Sequence, residues 1–73
     1  MVIKVISYIP YLENISNEYY LEQQVTVEEF INSLGIQWDD DALVVVNKVI
    51  VIDRLMKLND GDMVELLIPL SGG

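Results

Sequence analysis

The chain is short and acidic: its 73 residues suffice for one domain, and 52% of them are hydrophobic and available for a core. Twelve acidic residues against four basic ones give a formal net charge of −8, so nucleic acids and anionic membranes are poor partners and a basic protein surface is the expected one. The sequence has no cysteine and no histidine, which excludes disulfides and thiolate chemistry and argues against an enzyme that uses acid–base catalysis near neutral pH.

The apolar amino terminus predicts neither a membrane span nor a secretion signal. No uninterrupted apolar run approaches the roughly 20 residues that a membrane helix needs. The apolar residues 1–6 are not followed by a small-residue cleavage site. We therefore expect a cytoplasmic protein.

The first third of the chain predicts two strands joined by a long connection. Val2–Ser7 is β-branched or apolar on both faces, interrupted only by Lys4, which predicts a strand buried on both faces or nearly so. Residues 19–22 predict a second strand, with Tyr19 and Leu21 on the same face. The two strands are expected to pair as a hairpin.

The clearest local signal is a helix over residues 27–34. Thr26 and Glu29, three residues apart, form the sequence signature of a capping box. Apolar residues at the i, i+3, i+4, i+7 spacing predict one buried face. These residues are Val27, Phe30, Ile31 and Leu34. Gly35 follows, where a left-handed C-terminal cap is expected.

The second half of the chain predicts three further strands. Residues 43–46 and 49–52 flank Asn47-Lys48, and the lysine in place of glycine favours a turn other than type I′. Residues 63–68 follow an Asp-Gly-Asp turn and are ended by Pro69, which has no N–H to donate.

This order of elements predicts an α+β protein with a β-grasp fold, that is, a mixed sheet with one main crossing helix. The first and last strands are expected to lie parallel at the centre of the sheet, because they are the two most apolar segments. We predict a β-grasp domain over residues 1–69 and a flexible Gly-Gly tail over residues 70–73.

The carboxyl terminus is the principal candidate for chemistry. Four extended residues from Leu70 to Gly73 span about 13 Å, enough to reach into the active site of another protein. Without side chains, Gly72 and Gly73 fit a narrow channel and leave the terminal carbonyl unhindered. The competing interpretation is an ordinary frayed end without a role.

The end of the sequence resembles a known family. Residues 58–65 read LNDGDMVE and residues 68–73 read IPLSGG, and together they resemble the C-terminal signature of the ThiS/MoaD family of ubiquitin-like sulfur carriers. Residues 44–47 resemble the strand and Asn turn of that family, and residues 25–29 its helix start. The resemblance extends from about residue 25 to the end, whereas the first third matches only in pattern.

The resemblance implies a function for the tail. A ubiquitin-activating-type enzyme would use ATP to adenylate Gly73, and sulfur would then replace one oxygen to give a thiocarboxylate. A second enzyme would accept the sulfur: the large subunit of molybdopterin synthase for a MoaD-like chain, or thiazole synthase for a ThiS-like chain in thiamin synthesis. The residues implied in guiding the tail and docking the partner are Ile68, Pro69, Leu70, Ser71 and Gly72.

On this interpretation the chain binds no cofactor or metal and is a protein-bound cosubstrate rather than an enzyme, although it could be counted as the small subunit of molybdopterin synthase. The ending of residues 68–73 favours the MoaD branch, while Lys48 and the chain length leave the ThiS branch open. Two other classes also stay open: a ubiquitin-like modifier conjugated to lysines, and a plain interaction module with an inert tail. Asp39, Asp40 and Asp41 with Asp53 more readily indicate a solvated turn than a cation site.

Overall fold

The structure, a computed structural model, describes residues 1–38 and 42–69. The regular elements of this part are the strands β1 (Val2–Ser7) and β2 (Glu18–Tyr20), the helix α1 (Val27–Ser33), and the strands β3 (Leu43–Val46), β4 (Val49–Ile50) and β5 (Met63–Leu67). The aspartates at 39–41 and the predicted tail at 70–73 lie outside the described residues.

The strands form a single mixed sheet in the order β2-β1-β5-β3-β4. β1 and β5 are parallel at its centre, in a register that runs from Lys4↔Met63 to Ser7↔Leu66. β2 pairs antiparallel with β1, β3 with β5, and β4 with β3. The predicted β-grasp fold, with the first and last strands parallel and central, is confirmed.

One face of the sheet packs against the helix and forms the core. The inward-pointing strand residues join the buried face of α1 in a single cluster, because successive side chains of a strand point to opposite faces. Its strand members include Ile3, Val5, Val44, Val46, Val64 and Leu66, and its helix members are Val27, Phe30 and Ile31. Each fully buried side chain of this size contributes about 1.5–3 kcal/mol to the free energy of folding.

The prediction that β1 is buried on both faces is wrong. Ile3 and Val5 are buried, whereas Lys4 and Ile6 on the opposite face are exposed. The reason is that α1 covers only one side of the sheet. The other side, which we call the outer face, consists of the strand residues that point away from α1.

The capping box of α1 is confirmed. The Glu29 N–H donates to Thr26 Oγ1 at 3.1 Å, and the Thr26 N–H donates to Glu29 Oε1 at 2.9 Å. The bond from the Thr26 N–H lowers the pKa of the Glu29 carboxyl below its ordinary value, because it favours the charged form. The helix ends at Ser33, one residue earlier than predicted, and Gly35 follows with a positive φ of 77°.

Segment 51–58 closes the amino-terminal end of the helix. The N–H groups of Val27 and Glu28 donate to the carbonyls of Met56 and Arg54 at 2.8 and 3.1 Å, so two N–H groups of the first helical turn find backbone partners outside the helix. The chain leaves the sheet to make these bonds, which explains why β4 stops at Ile50 instead of residue 52.

The capping box predicts a measurable loss on mutation. Thr26→Ala removes the acceptor for the Glu29 N–H and should lower the free energy of unfolding by about 1 kcal/mol. Urea unfolding followed by circular dichroism measures the change. Thr26→Ser keeps a hydroxyl and should retain most of the stability; an equal loss in both variants would contradict a capping role.

Candidate functional site

The last strand of the chain, β5, lies in the middle of the sheet. β5 is hydrogen-bonded to β1 on one side and to β3 on the other, and the Tyr8 N–H extends the pairing to Leu66 O at 2.8 Å. β5 ends at Leu67, one residue before the prediction, and Ile68 beyond it is 46% exposed. The last described residue is Pro69, so the base of the predicted tail is held by strands on both sides.

The Asn-Asp-Gly-Asp turn before β5 ties this strand to β1. The Val2 N–H donates to Asp60 Oδ1 at 2.7 Å, and the Gly61 N–H donates to Val2 O at 2.8 Å. Gly61 has a φ of 85°, a conformation that residues with a Cβ rarely adopt. The turn therefore sets the register of the two parallel strands.

The same turn is bonded to the hairpin between β3 and β4. Asn47 Nδ2 donates to Asp62 Oδ1 at 2.9 Å, and the Met63 N–H donates to Asn47 Oδ1 at 2.9 Å. Asp62 Oδ2 also accepts from the Asn59 N–H at 2.8 Å. Two of the segments singled out in the sequence, residues 44–47 and 58–65, thus contact each other through side chains at the start of β5.

The outer face carries a row of apolar side chains interrupted by one carboxylate. Cross-strand pairing places Ile6, Glu65, Val45 and Ile50 side by side on four adjacent strands, spaced about 4.8 Å apart. Ile6 is 39% and Ile50 is 55% exposed. Paired Leu43 and Leu67 extend the apolar surface toward the end of β5. The outer face therefore reaches the end of β5.

Glu65 is a buried acid at the centre of this row. It is 7% exposed, and its Oε1 accepts no hydrogen bond from the described residues. The Lys48 ammonium lies 3.1 Å from that oxygen, close enough for an ion pair but without hydrogen-bond alignment. A buried charge needs both a counterion and hydrogen bonds to offset its desolvation, so this carboxylate is incompletely satisfied.

The counterion, Lys48, is part of a strained turn between β3 and β4. Asn47 and Lys48 have φ values of 50° and 71°, the combination of a type I′ turn, so the prediction of another turn type is wrong. The left-handed conformation costs a lysine about 1–2 kcal/mol. The long-range ion pair with Glu65 offers a physical reason for lysine at this position.

The sequence predicts the last strand and the residues after it as a candidate site, but it does not predict the outer face as one. The available signal was Glu65 itself, a lone acid within the apolar residues 63–68. Of the four tyrosines, Tyr19 packs edge-on against Phe30 with ring centroids 5.5 Å apart. Tyr8, Tyr11 and Tyr20 are exposed.

Within residues 1–38 and 42–69, no group of three or more acidic side chains is arranged to hold a metal ion. In the same residues, no helix has the length and apolar character to cross a membrane.

Together these features define a β-grasp domain whose last strand is central and ends beside an apolar face. A sequence profile of the ThiS family matches residues 7–73. The chain therefore belongs to the ThiS family, whose members are small sulfur carriers. The match begins well before residue 25, where the resemblance in the sequence became specific.

Solved structures are similar to this chain over the full length of both partners. One is the thiamine biosynthesis protein ThiS from Geobacter metallireducens, with 19% identity and a TM-score of 0.69. Another is a chain from the complex of subunits 1 and 2 of the molybdopterin-converting factor from Helicobacter pylori 26695, with 20% identity and a TM-score of 0.66. At these identities the likeness shows the fold, and it does not separate the two branches. A search of curated proteins gives no significant match.

The coupling between turn strain and ion pair predicts a non-additive pair of mutations. Lys48→Gly relieves the left-handed strain but removes the counterion of Glu65, so its two effects on stability oppose each other. In a Glu65→Gln background there is no ion pair to lose, so only the relief of strain remains. The change in the free energy of unfolding caused by Lys48→Gly should then be about 1 kcal/mol more stabilising than the change it causes in the wild type. Equilibrium urea unfolding of the four proteins measures this difference. Equal effects of Lys48→Gly in both backgrounds would contradict the coupling.

Proposed function

We propose that this protein is a sulfur carrier whose terminal Gly73 is adenylated and then converted to a thiocarboxylate that donates sulfur in cofactor biosynthesis. The observation that carries the proposal is the position of β5: the strand that leads to the Gly-Gly ending is the central strand of the sheet. Membership of the ThiS family supports it. The chain supplies the reacting group, and its partners supply the catalysis.

The chemistry requires activation, because a carboxylate is a poor electrophile. One oxygen of the Gly73 carboxylate attacks the α-phosphorus of ATP, pyrophosphate leaves, and an acyl-adenylate forms. Hydrosulfide then attacks the carbonyl carbon and expels AMP, so that the new C–S bond replaces the C–O bond to AMP and the chain ends in a thiocarboxylate. A ubiquitin-activating-type enzyme holds the ATP, and this chain binds no cofactor of its own.

The end of the chain is suited to insertion into that enzyme. In a fully extended conformation, four residues beyond Pro69 would span about 13 Å, enough to carry the reacting carbon into the active site of the enzyme. Gly72 and Gly73 make the tail narrow, and Leu70 and Ser71 would line its path. The domain of residues 1–69 provides the surface that the enzymes bind.

The outer face is the surface that we propose for docking. Isolated exposed apolar residues are ordinary, whereas a contiguous apolar patch marks an interaction site. Ile68 and Pro69 connect this patch to the tail, so a partner bound to the outer face would hold the start of the tail at its own active site. We propose a docking role for Ile68 and Pro69, and the same role predicted for Leu70 lies outside the described residues.

We favour molybdopterin synthesis as the pathway, with the large subunit of molybdopterin synthase as sulfur acceptor. The support is the ending of residues 68–73 and the likeness to a chain from a complex of two molybdopterin-converting factor subunits. In that pathway the chain would be the small subunit of the synthase. The alternative is delivery to thiazole synthase for thiamin, supported by the likeness to a ThiS structure. The cytoplasmic location stays a prediction.

Shortening the tail by one residue tests the proposal. Deleting Gly73 retracts the carboxylate by about 3.3 Å, and a displacement of this size should reduce the rate of activation at least about 100-fold, because adenylation needs in-line geometry. ATP–pyrophosphate exchange with the activating enzyme measures the rate. Glu28→Gln is the control, since it alters α1 on the opposite side of the sheet and should keep the wild-type rate. Wild-type exchange by the shortened chain would contradict the proposed role of Gly73.

A further inference from the structure

We infer that Glu65 is a recognition residue, which exchanges Lys48 for an arginine of the activating enzyme when that enzyme docks on the outer face. The inference rests on the proposed function for the existence of this partner. It adds the chemistry of the contact: an apolar protein surface that presents one guanidinium to a buried carboxylate. Three observations carry it.

The first observation is position. Glu65 lies between Ile6 of β1 and Val45 of β3, and Ile50 continues the same row. The carboxylate is thus at the centre of the exposed apolar surface rather than at its rim. Groups at the centre of an interface lose their water on docking, and they carry most of the binding energy.

The second observation is incomplete satisfaction. Glu65 is more than nine-tenths buried, and its Oε1 lacks a hydrogen-bond donor among the described residues. Docking would remove the remaining solvent and raise the cost of leaving the carboxylate poorly bonded. An arginine donates two parallel hydrogen bonds to a carboxylate, whereas a lysine ammonium acts as a point charge. A guanidinium is therefore the group that best completes this site.

The third observation is that the present counterion can leave. The Lys48 side chain is 80% exposed and makes its ion pair from the turn between β3 and β4. Most of the Lys48 side chain already faces solvent, so the free domain can hold Glu65 with Lys48 and release it on docking. In the free state the pair prevents an uncompensated charge on the open face.

Charge argues for a basic partner and against a second copy of the same chain. The formal net charge of −8 makes two copies repel each other, while it attracts a basic surface and speeds its approach. The activating enzyme is the partner shared by both proposed pathways. The inference therefore does not depend on whether sulfur is delivered for molybdopterin or for thiamin.

The test measures binding of the activating enzyme from the same organism to four forms of the full chain by calorimetry without ATP. Glu65→Gln keeps the shape but removes the charge, and it should raise Kd at least about 30-fold. Glu28→Gln removes the same charge from α1, on the opposite side of the sheet, and should change Kd little. Lys48→Ala should leave Kd unchanged or lower it, because the lysine competes with the arginine. Urea unfolding of each variant checks that the domain is folded.

The inference is overturned if Glu65→Gln and Glu28→Gln bind equally well, or if Lys48→Ala weakens binding as much as Glu65→Gln does. Pyrophosphate exchange separates this failure from failure of the proposed function. If both proposals hold, Glu65→Gln raises KM for the carrier and leaves kcat near the wild-type value. If the wild type supports exchange and Glu65→Gln and Glu28→Gln have the same KM, recognition through Glu65 is refuted while the carrier function stands. No exchange by the folded wild type refutes the carrier function itself.

Discussion

The parallel pairing of β1 with β5 is the constraint on which the rest of this structure depends. Parallel neighbours cannot be joined by a tight turn, so the intervening chain, residues 8–62, forms the crossover and supplies α1, which buries one face of the sheet. The bonds of Asp60 and Gly61 to Val2 fix the register. The last strand, β5, is thereby held between β1 and β3.

The same pairing leaves the outer face without a second layer among the described residues. Two features there are locally unfavourable: Lys48 occupies a left-handed turn position, and Glu65 is buried between apolar neighbours. Each partly offsets the other through their ion pair. Local rules are most often broken at functional sites, and this pair lies on the outer face, with Lys48 in the turn beside the start of β5 and Glu65 within that strand. On this account the Lys48–Glu65 pair stabilises the free domain and also leaves a carboxylate on the outer face for a partner to bind.

The sequence predicted those parts of the fold that depend on near neighbours. The capping box of Thr26 and Glu29 involves groups three residues apart, so its residues suffice to identify it. The burial of β1 was mispredicted because an apolar strand does not reveal whether a second layer covers it. The turn at Asn47-Lys48 was mispredicted because the reason for its lysine lies on β5. No periodicity could reveal the role of Gly73, since its proposed chemistry takes place in another protein; the resemblance of residues 58–65 and 68–73 to a family indicated it.

The most direct test of the carrier function is the intact mass of the chain after incubation with ATP, the activating enzyme and a sulfide source. We predict a gain equal to the mass difference between sulfur and oxygen, located by fragmentation at Gly73 and absent when ATP is omitted. An unchanged mass while the enzyme remains active on a known carrier would contradict the proposal. Isopeptide-linked adducts of this chain on other proteins, without the sulfur-containing form, would identify a protein modifier instead.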